Sequence, residues 1–565
     1  MLQRLILSVI SGLILSLSWP PNASFSFFIF VALVPLLTIE LKIKNKQLTC
    51  FHFFLYSYLT FFIFNLCTTF WIYHAHFYGA VFAILCNSFF MSLVFYVYAK
   101  IKNTYQTKTM FFLLPILWIS FEYLHLNWDL SWPWLSLGNV FSSNVNVVQW
   151  FSVTGVLGGT LWILLVNLLV TQLFQKNHIN KILTRKIIII VSTIILPIFI
   201  SQYILNNYQI GDVEKSINVL IVQPNIDPYM DKFNLKQSQQ TDNLLSLVGP
   251  YLNNEINCVL LPETFLTEPI WENKIHHNLD IKRLNEIILK HPYSNPLIDY
   301  PLNIFVGATT LSNLNSHTNL KKSKNQRSYK IHNSAVHLGA HLDFNSSAQN
   351  IGQLSKIDIY HKSKLVPGAE QIPFYNFVKP FVGNKLLQIG SSTSLGNFTK
   401  QDSISLFSAD LSEFNFVKKN SYSSKESQYL VAPVICYESI YGDYVREFVK
   451  KGANLVFIIT NDGWWKNTPG YKQHHNYAKL RAIETRRYIA RSANTGISSV
   501  ISPFGSVEKY LDWDIKGVIK SKIPVLVKDT FYVRHGDYLG RISSFFAILF
   551  VLFFLINNKL NISRK

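Results

Sequence analysis

Three residue types that together can carry out acyl transfer stand near the ends of predicted strands. Cys436 lies in Val-Ile-Cys-Tyr-Glu-Ser, directly after the apolar run 430–435, so its thiol is expected at the tip of a buried parallel strand. Glu263 follows Leu-Leu-Pro, and Lys362 lies in Tyr-His-Lys-Ser-Lys-Leu-Val-Pro. A thiol, a carboxylate and an ammonium are the groups needed to form and discharge a thioester.

Each of these groups has an expected chemical role and an ordinary structural alternative. A thiol attacks a carbonyl as thiolate, so Glu263 is the candidate base; its alternative is a helix cap or a salt bridge. The Lys362 ammonium is placed to stabilise an oxyanion together with a backbone N–H beside the cysteine. Lys364, two residues further on, is expected to be a solvated charge and serves as a comparison within the same segment.

Two more carboxylates stand close to these residues in the sequence. Glu370 lies in Val-Pro-Gly-Ala-Glu-Gln-Ile-Pro, where proline and glycine predict a turn that can aim a side chain back into a site. Glu438 lies two residues after Cys436. On an extended segment Glu438 shares a face with the cysteine, whereas on a helix it could cap the first turn.

The residues outside this segment indicate a membrane protein. The chain has 565 residues, of which 49% are apolar and only 15% charged. Seven long apolar runs precede a more polar region and an eighth follows it, and most are near the length that crosses a bilayer. These predicted spans are 3–18, 24–41, 52–73, 78–99, 109–126, 152–175, 186–205 and 541–557. We interpret the first run as a retained helix, because Ser-Trp-Pro-Pro follows it in place of a cleavage site.

Lysine and arginine predict the orientation of these spans. Basic residues concentrate in alternate loops and in the C-terminal tail: Lys42, Lys44, Lys46, Lys100, Lys102, Lys108, Lys176, Lys181, Arg185, Lys186, Lys559, Arg564 and Lys565. The positive-inside rule then predicts that both termini are cytoplasmic and that residues 207–540 lie outside the cytoplasm. The net charge of +20 suits these loops and an anionic lipid surface, and no nucleic-acid-binding motif accompanies it.

The region between the apolar runs reads as an α/β domain. Strands are expected near 217–224, 257–262, 303–309, 331–339, 430–436, 454–460 and 496–502, and helices at 235–248, 279–290, 439–451 and 472–493. Two packed sheets with outer helices fit this alternation. The sequence therefore predicts a membrane domain at 1–206, a catalytic domain at 207–530, and an eighth span with its tail at 531–565.

Five ordered motifs resemble the carbon–nitrogen hydrolase (nitrilase) superfamily. They are Pro-Glu-Thr around Glu263, the Lys362 and Cys436 segments, Thr-Asn-Asp-Gly-Trp-Trp at 460–465, and the run at 481–496. Seven preceding spans and one following span narrow the resemblance to the apolipoprotein N-acyltransferases. The resemblance implies eight spans plus a nitrilase-like αββα sandwich. It covers nearly the whole chain, including Gln-Pro-Asn-Ile at 223–226 and Tyr-Val-Arg-His-Gly-Asp at 532–537.

That resemblance implies a two-step acyl transfer without a metal or other cofactor. Cys436 takes an acyl chain from a membrane phospholipid, and the α-amine of an S-diacylglyceryl-cysteine on an apolipoprotein then takes it from the thioester. This is the last step of lipoprotein maturation. Glu263 is the implied base, Lys362 the oxyanion partner, and Glu370, Tyr437 and Glu438 are implied supporting residues. The implied setting is a multi-pass monomer of the bacterial inner membrane, with a periplasmic catalytic domain and no nucleic acid.

Some details depart from the family pattern. Leu-Val-Pro-Gly-Ala-Glu replaces the more usual Leu-Val-Pro-Phe-Gly-Glu, and Phe233 stands where some members have a substrate-loop tryptophan. Trp464 and Trp465 are candidates for the acyl entry or an interfacial anchor, and ordinary packing is an equal alternative. Two other functions stay open: a membrane-tethered amidase that hydrolyses its thioester, and a transporter or scaffold with a degenerate domain. No charged residue pairs inside the spans suggest an ion path for a transporter.

Overall fold

The computed structural model describes residues 1–44, 47–105, 108–174, 180–209, 215–232, 234–253, 255–290, 302–313, 329–340, 354–375, 398–410 and 428–563. Two compact units make up the chain. The first takes in Met1–Gln209, Thr468–Glu484 and Thr530–Lys565, and the second Ile210–Asn467 and Thr485–Asp529.

The first unit is helical. Its α-helices are Leu2–Ser18, Ile29–Ala32, Val34–Lys44, Cys50–Thr69, Ile72–Ala75, Phe77–Tyr105, Leu113–Leu126, Phe151–Thr154, Val156–Thr171, Asn180–Asn207, Pro469–Thr485 (to Glu484), Phe531–His535 and Tyr538–Ser563. Short 3₁₀ segments connect them at Ala23–Phe28, Lys108–Phe111, Pro133–Leu135, Leu137–Ser143, Val145–Val147 and Gln172–Phe174.

Among the described residues, 6 helical segments are long and apolar enough to cross a membrane. They are Ala23–Ile43, Cys50–Thr69, Phe77–Tyr105, Val156–Phe174, Ile182–Asn207 and Tyr538–Asn557. The predicted first and fifth spans form shorter apolar helices, Leu2–Ser18 and Leu113–Leu126. The membrane character of this unit agrees with the sequence analysis, while the number of eight spans stays a prediction.

A charged pair lies near the ends of two of these segments. Lys102 Nζ lies 2.6 Å from Glu40 Oε2 and 3.0 Å from the Tyr98 hydroxyl. Both charged residues stand in the last turn of their segments, Ala23–Ile43 and Phe77–Tyr105. A pair at two adjacent helix ends joins those helices, and it does not form a polar path through a span.

Helix Pro469–Thr485 is anchored in the first unit by a polar network. Gln473 Oε1 accepts hydrogen bonds from the indoles of Trp134 at 2.7 Å and Trp71 at 3.2 Å. The Tyr477 hydroxyl donates to the Trp134 carbonyl at 2.9 Å and accepts from the Trp19 indole at 3.1 Å. These bonds satisfy polar groups that would otherwise be buried without partners.

The second unit contains two mixed β-sheets. The first has the order β13-β1-β2-β4-β5-β6, with β3 also paired to β4, and the second has the order β12-β11-β10-β9-β8-β7. The strands are β1 (Ser216–Gln223), β2 (Cys258–Leu260), β3 (Leu266–Trp271), β4 (Asn303–Asn313), β5 (Tyr329–Ala340), β6 (Leu354–His361), β7 (Phe407–Asp410), β8 (Gln428–Ile435), β9 (Leu455–Thr460), β10 (Ile489–Ala493), β11 (Ser498–Ile501), β12 (Val507–Leu511) and β13 (Gly517–Pro524).

The two sheets pack face to face and helices cover their outer sides. Phe305 of β4 lies against Phe457 of β9 with ring centroids 5.0 Å apart, and Ser492 Oγ of β10 donates to the Val222 carbonyl of β1 at 2.7 Å. Helices Gln237–Val248 and Leu279–Lys290 share a hydrophobic core with the first sheet. Helix Gly442–Lys450 follows β8, and 3₁₀ turns lie at Gly249–Tyr251, Glu272–His277, Cys436–Ile440 and Asp462–Trp465. This arrangement agrees with the predicted α/β sandwich.

The predicted helix 472–493 is wrong over its last third. The helix ends at Thr485, Arg486 takes a positive φ of 50°, and Ile489–Ala493 forms β10 between β9 and β11. Every residue of β10 is buried. A strand that is buried on both faces lacks the alternation that distinguishes it from a continuing helix, which explains the error.

Candidate active site

Glu263 lies in the turn after β2, where a neighbouring strand fixes the backbone. The carboxylate is buried, and Thr264 after it takes a positive φ of 45°. Gly307 of β4 passes directly beneath this turn. A Cβ at Gly307 would stand 2.5 Å from both the Pro262 carbonyl oxygen and the Thr264 nitrogen, so the close approach requires glycine.

Lys362 follows β6 and joins two carboxylates. Its Nζ lies 3.2 Å from Glu263 Oε1 and 2.9 Å from Glu370 Oε1. Asn333 of β5 donates from Nδ2 to the same two oxygens, at 2.8 Å and 3.0 Å. The Lys362 backbone N–H donates to the Asn333 carbonyl at 2.8 Å, so β5 and β6 hold the two donors side by side.

The turn predicted at 366–371 aims Glu370 as expected. Gly368 has a φ of 83°, and the Val366 N–H donates to Glu370 Oε2 at 2.9 Å. One carboxylate oxygen is therefore held by the turn, and the other faces Lys362 and Asn333. Glu370 thus offsets part of the charge of the buried Lys362 ammonium, and both of its carboxylate oxygens already accept hydrogen bonds.

The electrostatic environment of Glu263 and Lys362 favours the charged form of both side chains. Burial alone would raise the pKa of Glu263, but Lys362, the Asn333 amide and Lys232 together hold it below its ordinary value. Burial alone would lower the pKa of Lys362, and the carboxylates of Glu263 and Glu370 raise it well above the usual range. The carboxylate is thus ionised at neutral pH and able to accept a proton.

Cys436 begins a 3₁₀ turn directly after β8. It has a positive φ of 50°, an uncommon conformation for a residue with a side chain. Since Ile435 of β8 pairs with Ile459 of β9, Cys436 stands beside Thr460, whose side chain hydrogen-bonds it. The strand-end position predicted from the sequence agrees with this, although β8 is parallel only to β9 and antiparallel to β7.

The thiol interacts electrostatically with the other two predicted residues. Burial raises the pKa of Cys436, the Glu263 carboxylate raises it further, and Lys362 opposes the increase. The resting group is therefore a thiol beside an ionised carboxylate. Its proton leaves only when a forming bond or a stabilised oxyanion makes the transfer favourable, which is the situation in which a general base acts.

Glu438 anchors the turn that carries the cysteine. Its Oε2 accepts the Ile435 N–H at 2.8 Å, and its Oε1 accepts the Ser363 N–H at 2.6 Å and the Tyr360 hydroxyl at 2.7 Å. Burial raises the pKa of Glu438 to about 7, against the effect of these donors. The carboxylate joins the Cys436 turn to the segment after β6. Because the segment is a 3₁₀ turn and Glu438 binds the backbone N–H at its start, the capping alternative is confirmed and the extended one is wrong.

Tyr437, within this turn, and Lys364, in the segment after β6, both make aromatic contacts. Tyr437 is buried, with its ring 5.3 Å from the Tyr441 ring. Lys364 lies with its Nζ 5.1 Å from the Tyr441 centroid and 5.7 Å from that of Tyr444. The expectation that Lys364 is an ordinary solvated charge is therefore wrong, because it lies over two tyrosine rings.

The Thr-Asn-Asp-Gly-Trp-Trp motif at 460–465 covers the end of β9 and the 3₁₀ turn that follows it. Asn461 donates its backbone N–H to Glu263 Oε2 at 3.1 Å, and Asp462 pairs with Arg491 at 2.6 Å with both side chains fully buried. Trp464 and Trp465 are half-buried in the same turn, and the Trp464 ring lies 5.5 Å from that of Tyr229. Phe233 lies outside the described residues.

Sequence reasoning missed three contributors to the site. Asn333 and the Asn461 backbone bind the Glu263 carboxylate, and Lys232 donates from Nζ to the Glu263 carbonyl at 3.0 Å. An asparagine inside a predicted strand is a weak signal, because asparagine is depleted there. Lys232, next to Phe233, has no distinguishing pattern of its own.

Comparison with known families gives matches in two parts of the chain. A family model described as the apolipoprotein N-acyltransferase N-terminal domain matches residues 11–169, and a carbon–nitrogen hydrolase model matches residues 315–530. The second match confirms the predicted nitrilase-like fold of the soluble part.

Two relatives match nearly the whole length of the chain. An apolipoprotein N-acyltransferase of Chlorobaculum tepidum is 25% identical and covers 94% of this chain and 92% of its own. Apolipoprotein N-acyltransferase 1 of Treponema denticola is 24% identical and covers 98% and 96%. Among solved structures, Nit3 of Saccharomyces cerevisiae, a nitrilase-superfamily member, has a TM-score of 0.34 and 14% identity, covering 56% of this chain and 92% of its own.

Proposed function

The chain belongs to the apolipoprotein N-acyltransferase family, and we propose that it moves an acyl chain from a membrane phospholipid to the α-amine of an S-diacylglyceryl-cysteine. It is an acyltransferase of the membrane with lipid and lipoprotein substrates. The observation that carries the mechanism is the buried contact of Glu263 with Lys362, both coupled electrostatically to the thiol of Cys436.

In the first half-reaction, the sulfur of Cys436 attacks the ester carbonyl carbon of the phospholipid. The thiol proton passes to Glu263 as the S–C bond forms, and the carbonyl oxygen becomes an oxyanion near the Lys362 ammonium. Collapse of this intermediate breaks the C–O bond to the glycerol. The leaving alkoxide takes the proton from Glu263, giving a lysophospholipid and a thioester on Cys436.

In the second half-reaction, the α-amine of the lipoprotein attacks the thioester carbonyl. Glu263 is again ionised and accepts a proton from the amine, and Lys362 again faces the oxyanion. Breaking the C–S bond returns the thiolate of Cys436, which recovers its proton, and the product is an amide. One carboxylate thus serves both steps, in agreement with its depressed pKa.

The remaining predicted residues have supporting roles in this proposal. Glu370 and Glu438 orient Lys362 and the Cys436 turn, consistent with their contacts to those elements. Tyr437 packs beside the nucleophile. Trp464 and Trp465, together with Phe233, are proposed to contact the acyl chain.

We also propose a specific setting for this reaction. The distribution of basic residues supports eight spans, cytoplasmic termini and a periplasmic catalytic domain in the inner membrane of a bacterium. The proposed domain boundaries are 1–206, 207–530 and 531–565, and the proposed functional form is a monomer. Cysteine labelling of the predicted loops from each side of the membrane would test this topology.

The direct test uses the full chain in phospholipid vesicles with a diacylated lipopeptide. We expect an acyl adduct on Cys436 in intact mass spectra, followed by N-acylated peptide when the lipopeptide is added. Cys436→Ala should abolish both products, whereas Cys67→Ala, which changes an exposed cysteine, should leave both unchanged. Release of free fatty acid without N-acylated peptide would instead support the membrane-tethered amidase.

A further inference from the structure

We propose that Lys232 is a positioning residue of the active site, a second buried cation that holds the Glu263 turn and balances its charge. The proposal rests on the proposed function for its consequence in acyl transfer. Its physical content, the effect of one ammonium on the Cys436 thiol, can be measured without any substrate.

Lys232 is held by contacts at its backbone and at its ammonium. The side chain is only 1% exposed, and Nζ donates to the Glu263 carbonyl at 3.0 Å and to Thr264 Oγ1 at 2.8 Å. The Lys232 backbone N–H donates to the Asp227 carbonyl at 2.9 Å, and Gln240 Nε2 donates to the Lys232 carbonyl at 2.8 Å. Lysine is seldom fully buried, so this fixed position needs a compensating interaction.

The two direct partners of the ammonium are neutral, so the compensation comes from farther groups. Glu263 and Cys436 are the titratable groups that interact with Lys232 across the site. The Thr264 contact also braces a residue with a positive φ, directly after the candidate base. Lys232 therefore holds the backbone of the Glu263 turn, and its charge interacts electrostatically with Glu263 and Cys436.

A count of charges shows what this ammonium contributes. The carboxylates of Glu263 and Glu370 and the ammonium of Lys362 sum to one negative charge, and Lys232 brings the sum to zero. Nearby Asp462 and Arg491 neutralise each other. Attack by the thiol moves one negative charge from Glu263 to the oxyanion and leaves this sum unchanged. Without Lys232 the oxyanion would therefore form in a cluster with one uncompensated negative charge, at low dielectric.

The titration of Lys232 gives this role a pH signature. Burial lowers its pKa to about 8, against the opposing effects of Glu263 and Cys436. The ammonium is therefore charged at pH 7 and neutral at pH 10, whereas an arginine stays charged at both. If Lys232 only filled space, the reactivity of the Cys436 thiol would not depend on whether residue 232 is charged at a given pH.

The test compares alkylation rates of Cys436 by iodoacetamide in the purified full chain, quantified by peptide mass spectrometry. Lys232→Met should slow alkylation about tenfold at pH 7, because losing one nearby cation raises the thiol pKa by about one unit. The difference from the wild type should shrink toward onefold at pH 10. Lys232→Arg should alkylate faster than Lys232→Met at both pH values.

A matched control is Lys236→Met, four residues along in the same segment, where the lysine is exposed and its removal should change nothing. Should Lys232→Met not purify as a single species, Lys232→Gln removes the same charge and keeps two donors. Equal rates for the wild type and Lys232→Met at pH 7 would overturn the proposal, as would equal rates for the arginine and methionine variants. If the wild type and Lys232→Met differ in alkylation rate as expected but the wild type transfers no acyl chain, the result would count against the proposed function and leave the role of Lys232 standing.

Discussion

Replacing Lys362 by methionine tests the centre of the mechanism. The ammonium is nearly fully buried, and its contacts at 3.2 Å and 2.9 Å join the two carboxylates of Glu263 and Glu370. At an effective dielectric of about 20, each contact corresponds to an attraction of about 5 kcal/mol, most of which offsets the cost of desolvating the charges. Lys362→Met leaves the two carboxylates sharing the Asn333 amide, with one backbone N–H as a further donor to each.

The expected consequences are a weaker fold and an inactive base. Removing one partner of a buried ion pair typically costs about 3–5 kcal/mol of unfolding free energy. The remaining carboxylates repel each other, so the pKa of Glu263 should change from below its ordinary value to above it, and one carboxylate should hold a proton near pH 7. Loss of the base and of the oxyanion partner should together slow formation of the Cys436 adduct by at least about 10³-fold.

The assay is the time course of the acyl adduct in phospholipid vesicles, with thermal unfolding of the same samples. Lys364→Met is the matched comparison, since Lys364 lies two residues away and contacts the rings of Tyr441 and Tyr444 in place of carboxylates. It should cost about 0.5–2 kcal/mol and less than tenfold in rate. Adduct formation by Lys362→Met within tenfold of the wild type would refute the assigned role, as would equal losses in both variants.

Three further changes test the surroundings of the site. Gly307→Ala should slow adduct formation at least about tenfold without removing any charge, because its Cβ would meet the Glu263 turn at 2.5 Å, and kinetics with normal rates would contradict that reasoning. Asp462→Asn breaks the buried pair with Arg491 and should cost about 3–5 kcal/mol in thermal unfolding, far more than Asp443→Asn in a partly exposed pair. Glu438→Gln should cost on the order of 2 kcal/mol, because an amide nitrogen then faces a donor, and unchanged unfolding would show that one oxygen suffices.

The strand ends were the most predictable part of the site. Cys436 and Glu263 each follow a short apolar run, and each stands after a strand that has a parallel neighbour, β8 in the second sheet and β2 in the first. Lys362 was placed by its motif, and the structure adds its contacts with Glu263 and Glu370. The chemical roles of these residues stay predictions until the variants are measured.

The parts that could not be predicted depend on contacts between distant segments. Asn333 and Glu263 are 70 residues apart, and Lys232 reaches the backbone of Glu263 from another loop, so no spacing in the sequence reveals either bond. The end of helix Pro469–Thr485 was missed for a related reason. The arginines beyond it look like a polar helix face, whereas Arg487 donates to the backbone carbonyls of Ala453 and Lys528 and Arg491 is paired within the sheet.

The charges of the site also explain why the buried thiol of Cys436 can remain unreactive between turnovers. Burial and Glu263 raise the pKa of Cys436, and a thiol reacts with oxidants and electrophiles mainly as thiolate. The same carboxylate has a depressed pKa, so at rest the proton stays on sulfur. In the proposed mechanism, a carbonyl oxygen near Lys362 offers a place where the negative charge can move away from Glu263, and proton transfer then accompanies bond formation. Reactivity of the thiol would in that mechanism depend on the bound ester.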